Sequence, residues 1–226
     1  MLILAFDTTV AACSVALWRD GAVLASAREV MDQGQAEALM PMIEDVMARG
    51  GNSYADLDRI AVTLGPGSFT GVRVGLATAR GLGLAALKPV IGVMTTEVLA
   101  AMIPREDIAR RESVRLLAAI DTKRGDLYVQ AFDCTYQSGG DVHVVAPTDM
   151  PAWFGNGDAI VVGDGAATAA VALGARATTI FADGFPDPAA LARIAAERTP
   201  VPGGPLPVYA RAPDAVMPQH GGRLRP

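Results

Sequence analysis

With 226 residues, 51% of them hydrophobic, the chain has enough apolar surface for a core of its own and reads as one domain or two small packed lobes. A formal charge of −5 and a pI near 5.0 argue against a surface that grips nucleic acid by neutralising phosphates, so any nucleic-acid role is expected to be indirect. Cys13 and Cys134 lack CxxC spacing, which argues against a disulfide framework or thiolate metal site and leaves two buried thiols in a reducing compartment as the expectation.

Met1 opens straight onto Leu2-Ile3-Leu4-Ala5-Phe6 and then Asp7, with no charged leader and no stretch of bilayer length, so a cytoplasmic protein without membrane contact is expected. Strands are expected over Leu2–Asp7, Cys13–Arg19 and Ala22–Glu29, the last two joined by the turn Asp20-Gly21. A helix over Gln35–Arg49 stops at Gly50-Gly51, and a strand over Arg59–Leu64 runs into the glycine-rich stretch Gly65 to Gly75. The helix Thr70–Leu87 follows and Lys88-Pro89 breaks it. Val90–Val93 then reads as a buried strand, and Thr95–Met102 as a helix ended by Pro104. Residues 1–104 thus form a first lobe, and the charge-rich stretch Arg105–Glu112 a solvated helix or linker.

A second lobe over residues 113–199 opens with strands Val114–Asp121 and Asp126–Asp133 around the turn Thr122–Gly125, then Val142–Val145. Its opening echoes the first lobe. Leu2 to Asp7-Thr8 and Leu117 to Asp121-Thr122 are both apolar strands ending in Asp-Thr before a returning strand, which points to duplication. Val161 to Gly165 ends another strand in a tight turn before an alanine-rich helix, and Pro188–Arg198 is the last helix. Residues 200–226 form a proline-rich tail, expected to lie extended over the body or to stay disordered.

The helix Thr70–Leu87 consists of little but small and apolar residues. Gly71, Gly75, Ala79 and Gly83 follow one another every fourth position as a row with almost no side chain, and Ala77, Gly81 and Ala85 make a second row. Glycine inside a helix costs about 0.5–1 kcal/mol relative to alanine, so two such rows imply two closely packed neighbours. Arg73 and Arg80 share a stripe between Leu76 and Leu84, where they can snorkel or meet a partner's carboxylates. On Gln35–Arg49 the residues Leu39, Met42, Ile43 and Val46 face inward, and Met40 and Met47 widen the apolar arc to one flank. Met40, Ile43, Met47, Gly71, Gly75, Ala79 and Gly83 are therefore expected to form a docking face for another protein. On that expectation, Gly75→Leu or Ala79→Arg abolishes pairing and leaves the fold intact.

Asp7-Thr8-Thr9, at a strand end that turns back as a hairpin, sets a carboxylate and two hydroxyls where a phosphate and its metal can be held. Gly163-Asp164-Gly165 can let a backbone approach a nucleoside, although a plain turn is the stronger reading. The Gly65–Gly71 loop offers amides to an anion at a helix start, yet no Lys-Ser or Lys-Thr follows, so it is not a Walker A sequence.

Leu4-Ala5-Phe6-Asp7-Thr8-Thr9, Glu37-Ala38-Leu39-Met40-Pro41-Met42-Ile43, Gly65-Pro66-Gly67-Ser68-Phe69-Thr70-Gly71-Val72-Arg73-Val74-Gly75 and Ile120-Asp121-Thr122-Lys123-Arg124-Gly125-Asp126 together resemble the TsaB (YeaZ) family, over most of the chain up to about Tyr209. The resemblance implies an α/β chain with a duplicated actin-like, ribonuclease-H-like (ASKHA) fold of two lobes. It also implies membership of the bacterial assembly that attaches threonylcarbamoyl to the tRNA adenosine next to the anticodon. Within that assembly it implies a noncatalytic subunit without a cofactor, which pairs with and organises a TsaD-type catalytic subunit through the first-lobe helices. A TsaE-type ATPase joins that pair and tRNA is met only indirectly. For the isolated chain, the docking face leaves a two-fold homodimer open as an alternative to the heterodimer, and the sequence does not rank the two.

TsaD-type relatives carry two histidines four apart on the helix after the short strand, where imidazoles can share a metal; the matching positions here read Thr95 and Leu99. His143 and His220 lie elsewhere, so no metal site is expected. Asp7, Thr8, Thr9, Gly163, Asp164 and Gly165 then amount to a vestigial nucleotide-binding site. Relatives often carry His-Ser before the glutamate matching Glu37, whereas this chain has Gln35-Ala36. The alternatives are a nucleotide-binding ATPase-like protein and a glycoprotease-like hydrolase. Against the first, Lys123-Arg124 replaces the small residues that a second phosphate turn at Asp121 prefers; against the second, no metal, cysteine or serine constellation is found.

Overall fold

Two five-stranded mixed sheets with the same internal order build the molecule, seen in a computed structural model that describes residues 1–111, 113–180 and 184–211. In the first sheet β3 (Ala22–Val30), β2 (Ala12–Arg19) and β1 (Leu2–Asp7) are antiparallel, and β4 (Arg59–Thr63) and β5 (Val90–Val93) continue it in parallel from β1. The second repeats that plan with β8 (His143–Val145), β7 (Leu127–Phe132), β6 (Arg115–Asp121), β9 (Ala159–Val162) and β10 (Ala177–Thr179). Central strands β1 and β6 thus hold equivalent places, and the Asp-Thr echo between them is the sequence trace of a two-lobed duplicated α/β fold.

The helices are α1 (Gln35–Arg49), α2 (Phe69–Ala86), α3 (Thr95–Ala101), α4 (Arg105–Ala109), α5 (Met150–Phe154), α6 (Ala166–Leu173) and α7 (Pro188–Glu197). Both faces of β1 are covered, which explains its unbroken apolar run. Leu2, Leu4 and Phe6 pack with Leu39, Ile43 and Val46 of α1 and Leu76 and Ala79 of α2. On the opposite face, Ile3 and Ala5 meet Leu191, Ala192 and Ala195 of α7, so the last helix of the second half closes the first sheet. Helix α3 makes the reciprocal bridge, because Val98 joins that cluster while Leu99 and Ala100 pack with Leu116, Ile120 and Phe132 below the second sheet.

Element bounds match the sequence expectation to within one or two residues for most strands and helices. The five-residue α5 and the three-residue β10 were not expected, being too short to show a period. The charged stretch after Pro104 forms only α4, with Glu112 outside the described residues. The tail runs extended over the body as far as residue 211; the remainder, with His220, lies outside the described residues.

Candidate functional site

The C-terminal end of β1 turns under the glycine-rich loop. Ser68 starts α2 as its cap, its hydroxyl accepting from the Gly71 amide at 3.3 Å, and the loop amide of Ser68 donates to the Thr9 carbonyl at 2.7 Å. Gly65 has a φ of +97°, which favours glycine, and a β-carbon at Gly67 or Gly71 would overlap the carbonyl oxygens of Thr9 and Thr8. The glycines therefore let the loop and the α2 N-terminus lie directly on the Asp7-Thr8-Thr9 turn. The Thr8 hydroxyl locks this contact by donating to the Gly71 carbonyl at 2.7 Å.

Asp7 is consequently sealed inside. Its Oδ1 accepts from the Thr9 amide at 3.1 Å, the Thr9 hydroxyl at 2.6 Å and the Thr63 hydroxyl at 2.5 Å. Its Oδ2 has no hydrogen-bond partner, and neither has the hydroxyl of buried Ser14, which the strand register places directly opposite. Burial pushes the Asp7 carboxyl above its ordinary range, against the lowering effect of the Thr63 and Thr9 hydrogen bonds. Burial, with the Asp7 and Glu29 charges, likewise pushes the neighbouring Cys13 thiol up to about 12. Cys134, expected to be buried, is exposed.

A cavity of about 910 Å³ lies between the lobes, walled by Thr9, Gln35 and Arg73 on one side and Asp121, Lys123 and Asp164 on the other. Of the six nucleotide-site candidates, only Thr9 and Asp164 reach it. Gly163 and Gly165 press on the β6 backbone, and the backbone of Gly184 sits directly on Gly163, so this chain's own main chain occupies the place of close approach. Asp164 accepts from the Asp121 amide at 2.9 Å, and burial raises its pKa. Lys123, expected to crowd a phosphate turn, folds back onto Asp121: its amide donates at 2.7 Å and its Nζ at 3.2 Å. Burial alone would lower the Lys123 pKa, but the hydrogen bond and the charges of Asp121, Asp164 and Asp32 outweigh it and raise it.

The two bare rows of α2 part company in the structure. Gly71, Gly75, Ala79 and Gly83, expected on the docking face, are buried against this chain's own residues, with a β-carbon at Gly75 falling 2.7 Å from the Thr8 hydroxyl and one at Gly83 falling 2.6 Å from Val90. Ile43 and Met47 are buried in the same core and Met40 is half-buried, so that face is corrected to an internal one. Its small residues serve the approach of α2 to the Asp7-Thr8-Thr9 turn, β4 and β5. The second row points outward: Ala77, Gly81 and Ala85 are exposed, a β-carbon at Gly81 would meet nothing within 4 Å, and Leu84 and Leu87 beside them are 78% and 87% exposed. Helical spacing identified both rows but carried no sign of which one the sheet takes.

Thr95 and Leu99, which stand where TsaD-type relatives are expected to carry imidazoles, are both fully buried, and the Thr95 hydroxyl is bonded to that of Thr9 at 3.0 Å. Among the described residues no group of three or more His, Cys, Asp or Glu side chains is placed to hold a metal ion. No helix among them is long and apolar enough to cross a membrane.

Repeated sheets, a polar turn at the end of the first central strand and a cleft between the lobes define an actin-like, ASKHA-type α/β protein. The fold is shared at a TM-score of 0.53 and 10% identity by component A of (R)-2-hydroxyglutaryl-CoA dehydratase from Acidaminococcus fermentans, over 86% of this chain and 97% of that one. YeaZ from Pseudomonas aeruginosa matches with a TM-score of 0.75 at 30% identity, over 92% of this chain and 99% of that one. The tRNA threonylcarbamoyladenosine biosynthesis protein TsaB of Escherichia coli K12 is 44% identical over 128 residues, 57% of this chain and 53% of that one. The family model described as TsaD: tRNA N6-adenosine threonylcarbamoyltransferase matches residues 29–151. The chain belongs to the TsaB (YeaZ) family, and it spans about half the length of the curated relatives it matches.

Proposed function

We propose that this chain is the noncatalytic subunit that binds and organises a TsaD-type threonylcarbamoyltransferase in tRNA threonylcarbamoyladenosine biosynthesis. The observation that carries the reading is the outer row of α2. Ala77, Gly81 and Ala85 form a row without bulky side chains, open to solvent beside the exposed Leu84, and a partner helix can lie along it at short range. The names of the relatives supply the pathway, and the TsaD family match supplies the kind of partner. The burial of Asp7 and Thr95 supports a role without turnover, because neither side chain can touch a substrate while the loop covers them. The chain works without a cofactor of its own. A TsaE-type ATPase and the tRNA reach it through the catalytic partner, and in isolation the same row pairs two copies about a two-fold axis.

Light scattering behind size exclusion tests this on the purified chain mixed with a TsaD-type subunit. A one-to-one complex is expected, with Gly81→Arg remaining folded and running apart from the partner. Turnover of ATP by the chain alone, abolished in Asp7→Ala, overturns the reading.

A further inference from the structure

The extended segment after α7 does more than cover apolar surface. It is fastened to the first lobe at successive points: the Pro205 carbonyl accepts from Arg80 at 2.7 Å, the Val208 amide donates to the Leu64 carbonyl at 2.8 Å, and the Tyr209 hydroxyl accepts from Arg73 at 3.1 Å. The Tyr209 ring lies 5.4 Å from that of Phe69, and the Arg73 guanidinium lies 3.6 Å over the Phe69 ring. Two glycines make room for it, since a β-carbon at Gly92 would fall 2.6 Å from Pro205 and one at Gly65 would fall 2.6 Å from the Val208 carbonyl oxygen. Prolines 205 and 207 stiffen the run.

Beyond Tyr209 the segment leaves the first lobe. Arg211 forms an ion pair with Asp126, in the turn that joins β6 and β7 of the second lobe, and both side chains are about three-quarters buried. The other Asp126 carboxylate oxygen takes the Thr122 hydroxyl, which also donates to the Asp126 carbonyl at 2.9 Å, so the acid is held ready for the arginine. Val208, Tyr209, Ala210 and Arg211 all line the inter-lobe cavity.

We propose that residues 204–211 are a latch that holds the two lobes closed over the cavity, with the Arg211–Asp126 ion pair as its catch. Anchored by Val208 and Tyr209, the segment presents Arg211 from the first lobe at a fixed point, so releasing Asp126 frees the β6–β7 turn to swing away. At the base of the cleft the lobes stay joined through α3 and α7, which makes the motion a hinge rather than a separation.

Pulsed electron–electron resonance on the full chain tests this, with nitroxides at Glu44→Cys on α1 and Val171→Cys on α6 in a Cys134→Ser background; both label sites are exposed and Cys13 is buried. A narrow distance distribution is expected for the parent. Asp126→Asn and Arg211→Gln should each add a population at longer distance, and the exchange Asp126→Arg with Arg211→Asp should return the narrow one. These charge-removing variants change opposite partners, so a folding defect in one leaves the other as a test. Parent-like distributions in both single variants overturn the latch, and so does an exchange variant as broad as the singles.

Discussion

The hydroxyls of Thr9 and Thr95 lie 3.0 Å apart in a hydrogen bond, and that contact closes the polar cluster around Asp7 from the side of α3. Thr9 gives its own proton to Asp7, so Thr95 is the donor and Thr9 the acceptor. Thr95→Val removes one donor and leaves Thr9 still bonded, at a cost of about 1 kcal/mol. Thr63→Val deprives the carboxyl itself and should cost more, about 1.5–3 kcal/mol. Thermal or urea unfolding at neutral pH should rank the variants in that order.

Asp7 gives the molecule a pH dependence of definite sign. Its folded pKa lies above the unfolded value because burial disfavours the charge, so the folded state holds the proton more tightly. The group's contribution is fully present below the ordinary carboxylate pKa and is lost as pH rises through the raised one. Asp7→Asn removes that loss, and its amide can face the unpartnered Ser14 hydroxyl. Melting temperature should rise on substitution at pH 7, and the gain should vanish as pH falls below the ordinary carboxylate range.

Position 75 and position 81 separate folding from pairing. Gly75→Leu forces a side chain against Thr8 and Val62, and overpacking of this kind costs about 1–3 kcal/mol. Gly81→Leu meets open solvent and should leave the melt unchanged or raise it slightly, since leucine is the better helix former. In a mixing experiment with the catalytic partner, Gly81→Leu should weaken the complex with its fold unaltered.

Thiol titration should distinguish the two cysteines. A disulfide reagent at pH 8 is expected to modify Cys134 at once in the folded chain and to reach Cys13 only on unfolding, because burial hides that thiol and holds it protonated.

The order of strands and helices was legible because β1, α1 and α2 each carry a full period of buried residues, and the Asp-Thr echo marked the duplication. The site was less so. Gly71 and Gly81 are alike in type and spacing, yet one touches Thr8 and the other only solvent, a distinction made by the Asp7-Thr8-Thr9 turn, β4 and β5 folding onto α2. Asp7 read as a ligand because a carboxylate at a strand end is common to open and closed sites; the covering loop that closes this one has its own reason in Gly67 and Gly71. The crossing of Arg211 to Asp126 had no local signature, since it joins residues 85 positions apart.

The exchange of α3 and α7 between the sheets makes the halves inseparable. A fragment ending before α4 would carry Leu99, Ala100 and Ile103 as a greasy stub without its seat, and would lack Leu191 and Ala195 to roof Ile3 and Ala5. Each repeat completes the other, so truncation near the midpoint yields two sticky polypeptides, and any split version of this protein has to be rebuilt by mixing both pieces together.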